Sequence, residues 1–495
     1  MTAATVAVDP PAPPVPAVPG LPLLGSILDF RRDILAAMRA GWQSGGDLTR
    51  HRLGPVTVHG VSSPELAGEV LTNSAVYGKL GADNPLRLVL GTGLLTSSDH
   101  ESWLRNRRMM QPIYSRASIA DMFAMMVTCT EDMLARLTAT YRAGDPLDLH
   151  KEMMRVTLDI VSRCMFSTSA AETIDVIGPD AVDIAINYAF QRLQNPLSLP
   201  SGWPTPGNRR FHRVMNGLDE LMYGLIARRR AGETRHDLLD MLLAARDADT
   251  GEGMTDRELR DEIITTFAAG HETTAITLTW TFYLLSQHPE VLRRIQQEVD
   301  AALGPWPAAP GLRSEATREG VAPQATGPRE RSERQELGRL PTLADLPRMP
   351  YTLQAFEESM RLYPSAPIVP RLTARDTVLG GRHVPAGSRV LVNLYNIHRH
   401  PGHWSDPERF EPARFGADER KSQHRFAYLP FGAGPHLCIG KHFALMEAHL
   451  LLAALIQRYE FRHLPSHPVV NHATITLRPK YGMVMTMHPR KLATR

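Results

Sequence analysis

Residues 255–289 read TDRELRDEIITTFAAGHETTAITLTWTFYLLSQHP, and this stretch constrains the fold more than any other. Thr255 can cap a helix whose Glu258 side chain reaches back to it, and Pro289 stops that helix at its far end. The run 263–285 is apolar enough to tempt a membrane reading, yet His271 and Glu272 sit near its middle. An acidic residue at the centre of a bilayer helix costs about 2.5–3.5 kcal/mol. The run is therefore expected to be a helix buried in a protein core.

Most of the remaining chain also has helical spacing. Residues 116–144 and 216–232 carry apolar residues on a 3.6 period and end at glycine, and 289–303 starts a new helix at its proline. Strand patterns are short: 51–61, 382–397 and 473–488. The expected class is mainly α with a small β region, as a single domain over residues 21–495. Residues 1–20 read as a flexible proline-rich leader without a signal peptide, and 305–338, rich in Pro, Gly, Arg and Glu, as a disordered surface insertion.

Composition excludes several functions. Net charge is only +3 over 495 residues, which gives no argument for nucleic acid. The three cysteines, Cys129, Cys164 and Cys438, form no CxxC pair, so neither a zinc cluster nor a disulfide framework is expected. Sparse cysteine and the absence of a transmembrane anchor point to the cytoplasm.

Cys438 stands in FGAGPHLCIG, 431–440. A lone cysteine is ordinarily a small buried hydrophobe. Glycines around it allow the backbone to approach a large flat ligand, with the thiolate as a metal ligand. Phe431, Gly434, His436, Cys438 and Gly440 match F-x-x-G-x-[R/H]-x-C-x-G, and here the sequence resembles the cytochrome P-450 family. Three further segments support the resemblance. FAAGHETTA (267–275) is similar to the family's A-G-x-[D/E]-T-T, EESMR (357–361) with EPARF (411–415) to its E-x-x-R and P-x-R-F, and WLRNRR (103–108) to its W-x-x-x-R.

The resemblance implies the triangular haem-thiolate fold, haem b as cofactor and O2 as co-substrate. It implies that Cys438 ligates the iron, with Phe431 and Gly440 in its loop, and that Trp103, Arg107, Arg371 and His436 serve the haem propionates. Ala269 and Gly270 would make room for O2, Thr273 would hydrogen-bond the oxygen being activated, and Glu272 would relay protons. Glu358, Arg361 and Arg414 would form a structural triad. Pocket walls are expected at 76–95, 190–207, Ile264–Ala269 and 364–370.

The function so implied is a monooxygenase that inserts one oxygen atom into an apolar small molecule, such as a fatty acid, terpenoid or polyketide. A peroxide-driven or isomerising haem enzyme would not need Glu272 and Thr273, and a haem sensor would need an output module. No dinucleotide fingerprint or Fe–S cysteine set occurs, so electrons are expected from a ferredoxin or flavodoxin with its NAD(P)H reductase. Arg105, Arg108, Lys421, Arg425 and Lys441 are candidates for its docking face.

Overall fold

Leu53-Gly54-Pro55-Val56 turns the chain back on itself. Gly54 takes φ +62°, which only glycine adopts without strain, at the first central position of a two-residue hairpin. The turn joins β1 (Leu48–Leu53) to β2 (Val56–Val61) in a computed structural model that describes residues 12–81, 84–168, 181–194, 198–306 and 339–490. The leader up to residue 11 and residues 307–338 of the expected insertion lie outside the described residues.

The chain divides into two compact units, each assembled from separated segments. The first comprises Met1–Asn84, Ala366–Pro407 and Gln423–Cys438. Here β3 (Tyr77–Gly78), β4 (Ile368–Thr373) and β5 (Arg389–Asn393) complete a sheet of order β1-β2-β5-β4-β3. β2 and β5 run parallel from the pair Val58–Arg389, and every other pairing is antiparallel. Alternation along β5 buries Val390 and Val392. Helix α1 (Pro64–Thr72) starts at Ser63, whose hydroxyl accepts from Leu66 N, with Pro64 in the first turn. Its Ala67, Val70 and Leu71 share one core with Val61, Val390 and Val392.

The second unit, Pro85–Ser365, Glu408–Ser422 and Ile439–Arg495, is mostly helical. Its principal helices are α2 (His100–Met110), α3 (Leu149–Phe166), α4 (Pro206–Arg230), α5 (Asp256–Gln287), α6 (Pro289–Leu303), α7 (Pro350–Leu362) and α8 (Lys441–Arg458). α5 begins with the expected reciprocal cap: Thr255 accepts from Glu258 N while Glu258 accepts from Thr255 N. Trp280, fully buried on α5, stacks on Tyr363 with centroids 4.1 Å apart and donates Nε1–H to Leu477 O at 2.9 Å. Its one polar atom is thus satisfied. Among the described residues no helix is long and apolar enough to cross a membrane.

Boundaries differ from the sequence expectation in three places. The run 116–144 forms two helices, Arg116–Asp121 and Phe123–Thr140, separated at Met122 by a tightened turn whose N–H bonds Ile119 O. The run 216–232 belongs to α4, which starts ten residues earlier because Thr205 caps it ahead of Pro206. Within 382–397, the segment Leu394–Ile397 is a helical turn capped by Asn393 rather than strand.

Candidate functional site

The loop that carries Cys438 is shaped by its glycines. Gly432 and Gly434 take φ +71° and +69°. A Cβ on Gly434 would lie 2.2 Å from the Leu71 carbonyl oxygen at the end of α1, so no larger residue fits there. Upstream, the Phe426 ring lies where a Cβ on Gly68 of α1 would fall, at 2.4 Å. Leu429 N donates to His398 Nε2 at 2.8 Å, and Cys438 N closes the loop on Phe431 O at 3.0 Å. The result is an exposed Cys438 side chain. Cys129 and Cys164 are buried, and burial pushes both thiols well above the ordinary range. Only Cys438 is placed to act as a ligand.

Arg371, on β4 of the same unit, is buried, and its Nη1 donates to Pro370 O at 2.9 Å. Burial lowers its pKa to about 10. Among the described residues no carboxylate pairs with it. A buried guanidinium in that position is suited to a carboxylate brought by a ligand. His436 is half-buried in the short turn Gly434–His436. Gly440 precedes the first turn of α8, and a Cβ there would meet nothing within 4 Å, so protein packing does not demand glycine at that position.

In the second unit, α5 holds the acid and alcohol. A Cβ on Gly270 would approach Val161 of α3 to 2.9 Å, so this glycine allows close contact between α3 and α5. Thr273 Oγ1 donates to Ala269 O at 2.8 Å, the i−4 back-bond open to a helical threonine. Ala269 is exposed and Thr273 partly so, although His271, Glu272 and Thr274 beside them are buried. One open stripe thus runs along an otherwise covered helix. Glu272 points elsewhere. Its Oε1 accepts from Thr476 Oγ1 at 2.6 Å and from Arg478 Nη2 at 2.5 Å. Sequence reasoning missed both partners, which lie more than 200 residues away.

Also missed was the tether of the expected pocket wall. Asp261 Oδ2 accepts from Thr92 N at 2.8 Å, and Glu262 accepts from Leu94 N at 3.0 Å and Asn106 Nδ2 at 3.2 Å. The available signal was the charged triplet Arg260-Asp261-Glu262 immediately before the apolar run that begins at Ile263. Val89 and Leu90 of that wall pack with Ile264 and Ala268 of α5. Residues 82–83 and 195–197 of the expected walls lie outside the described residues.

On α2, Trp103 is buried and stacked by His100 at 6.0 Å, while Arg107 is half-buried. Arg105 bonds Glu258 at 2.8 Å and Gly253 O, and Arg108 pairs with Asp249 at 3.2 Å. Of the five cations expected on a docking face, Arg105 and Arg108 thus have acidic partners, as does Lys421, which pairs with Asp418 at 2.8 Å. The triad on α7 forms as expected. Arg361 makes a bidentate contact with Glu358 at 2.6 and 2.8 Å, with both side chains fully buried. Glu358 also accepts from Glu411 N at 2.8 Å and lies 3.5 Å from Arg414 Nε.

These residues fit a haem: an exposed thiol on a glycine-shaped loop, and a buried arginine suited to a propionate. A sequence model of the cytochrome P-450 family matches residues 13–307 and 330–487, breaking off within the expected insertion. The chain is 36% identical over 423 residues to cyclooctat-9-en-7-ol 5-monooxygenase of Streptomyces melanosporofaciens, covering 85% of this chain and 83% of that one. It is 33% identical to pentalenene oxygenase of Streptomyces avermitilis over 91% and 90% of the two chains. The crystal structure of the cytochrome P450DA haem domain superposes with a TM-score of 0.81 at 25% identity, over 97% of this chain and 99% of that one. The chain belongs to the cytochrome P-450 family, mainly α with a small β region, and is a haem-thiolate monooxygenase with haem b as cofactor and O2 as co-substrate.

Proposed function

We propose that this enzyme oxygenates a terpenoid-like polycyclic molecule in the cytoplasm, with electrons from a separate ferredoxin or flavodoxin and its NAD(P)H reductase. Two relatives named for cyclooctat-9-en-7-ol and pentalenene support that substrate class over a fatty acid. The segments expected as pocket walls are apolar there, with Val89, Leu90, Ile264 and Ala268 packed in one core, and an apolar lining suits a hydrocarbon.

Haem supplies the iron at which O2 is activated for insertion into the substrate. Cys438 would hold that iron through its thiolate, and the turns at Gly432 and Gly434 fix where the sulfur emerges. Arg371, Arg107, His436 and Trp103 would serve the haem propionates, carboxylates of the kind that guanidinium groups recognise. Phe431 and Gly440 complete the loop; on α5 the small, exposed Ala269 keeps its stretch of the helix surface free of bulk, while Gly270 lets α3 pack close.

Thr273 and Glu272 move protons. The Thr273 hydroxyl rests on Ala269 O, and turning off that carbonyl frees its proton for donation. Glu272 is supported by Thr476 and Arg478, and Arg478 is 14% exposed. Once its carboxylate has taken a proton from water, the Glu272 carboxyl that swings from Arg478 toward Thr273 delivers that proton and returns as carboxylate. The observation that carries this reading is the buried Glu272, bound to a side chain that still reaches water.

A binding screen tests the substrate class. Polycyclic terpene alcohols and hydrocarbons are expected to shift the haem absorption at micromolar concentrations, and bound compounds are expected to yield oxygenated products with a surrogate ferredoxin and reductase. Shifts and products from long-chain fatty acids alone would overturn the class.

A further inference from the structure

Three histidines gather in the first unit where haem chemistry gives them no task. His400 and His403 follow the helical turn Leu394–Ile397, and His424 lies in the segment that runs on to Cys438. The His400 and His403 rings are 5.1 Å apart, and those of His403 and His424 are 5.3 Å apart. Glu65, in the first turn of α1, completes the group: its Oε1 lies 3.3 Å from His403 Nε2 and 3.9 Å from His424 Nε2. The three donor atoms of Glu65, His403 and His424 all fall within 4.8 Å of one another, the one such set among the described residues.

We propose that Glu65, His403 and His424 form a divalent transition-metal site, best matched to Zn2+. Two imidazoles and a carboxylate are a borderline donor set of the kind zinc accepts in a tetrahedron, with water in the fourth place. Zn–N and Zn–O bonds near 2.0–2.2 Å put neighbouring donors roughly 3.3 Å apart. The Glu65–His403 pair already has that spacing. The His424 and Glu65 side chains are 36% and 56% exposed, so small rotations bring in the third donor. His424 Nδ1 lies 3.3 Å from Phe426 N, and coordination through Nε2 leaves a proton on Nδ1 at the cost of that long contact.

His400 is not a ligand here. Its Nε2 faces Asp47 Oδ1 at 3.3 Å, which also accepts from Trp42 Nε1 at 2.8 Å, and its Nδ1 accepts from Gly402 N at 3.1 Å. It buttresses the His403 ring. The site ties the start of α1 to the segment that leads through Phe426 to the Cys438 loop, which already rests on the other end of α1 at Leu71. Metal binding therefore stiffens the frame of the thiolate loop without touching it.

The test uses haem-loaded protein without a histidine tag, stripped by chelator and titrated with Zn2+ alone. Bound zinc is counted after equilibrium dialysis, and thermal unfolding is followed in parallel. One zinc per chain is expected, with a rise in melting temperature. His403→Ala and His424→Ala should each weaken binding by at least about tenfold and abolish that rise, as loss of a direct ligand exceeds loss of a supporting one. His400→Ala should still bind zinc, and all three variants should retain haem. No zinc bound, or wild-type affinity in either His403→Ala or His424→Ala, would overturn the site.

Discussion

Two buried acids in the helical unit each meet an arginine, and the comparison separates scaffold from machinery. Glu358 and Arg361 lie three apart on α7, have no exposure, and meet Glu411 N and Arg409 O as well. Nothing about that pair can move without stranding a charge. Glu272 leaves its own helix to find Thr476 and Arg478, one hydroxyl and one partly exposed guanidinium. Glu272 has one hydroxyl and a guanidinium nitrogen to release, whereas Glu358 is held at once by a bidentate fork, a backbone N–H and Arg414. Both pairs satisfy a buried charge, but only the second leaves a path for change.

Removing Arg361 should have the largest effect. Arg361→Leu leaves Glu358 charged in a dry site, a loss of about 3–5 kcal/mol. The expected outcome is a large drop in melting temperature and in haem content. A variant that loads haem and melts like the wild type would show the triad to be dispensable.

Acidification comes next, and it probes a third way to bury a titratable group. His51 and His59 in the first unit and His449 in the second are buried, and desolvation lowers each pKa to about 4. Unfolded histidine titrates near 6.5, so between these values the unfolded chain binds more protons. Stability is full above pH 6.5 and falls as pH drops toward 4, by on the order of 2–3 kcal/mol per histidine. Denaturant titrations at pH 7 and pH 5 check this, and His449→Gln should flatten the slope. An unchanged slope would mean that His449 is protonated in the fold.

Glu272→Gln keeps the shape and removes the titrating oxygen. The protein should fold and bind haem and substrate as before, while turnover falls by roughly a hundredfold. Undiminished turnover would remove Glu272 from proton delivery. Arg478→Gln should do less, about tenfold in rate, because Thr476 still holds the acid. If Arg478→Gln instead unfolds the protein, the Glu272 pair is scaffold and the contrast with Glu358 collapses.

The contrast between the pairs also marks what could be read from sequence. Local rules were enough for the reciprocal cap at Thr255 and Glu258, for the stop at Pro289 and for the three-residue spacing of Glu358 and Arg361. Those features need only neighbours along one helix. Arg414 was reachable because its motif has a fixed wording. Arg478 was not, since nothing near it signals that a strand 206 residues later will supply the partner of Glu272. The same limit hid the acidic partners of Arg105 and Arg108, which pair with Glu258 and Asp249. Exposure and pairing are properties of the assembled fold, and spacing along α2 carries no trace of them.

Cys438 as the thiolate ligand of haem is tested most directly by the absorption spectrum of the reduced, CO-bound protein. The wild type should show the red-shifted band of a thiolate-ligated haem, and Cys438→Ala should lose it while Cys129→Ala and Cys164→Ala keep it. A red-shifted band that survives in Cys438→Ala would contradict the account.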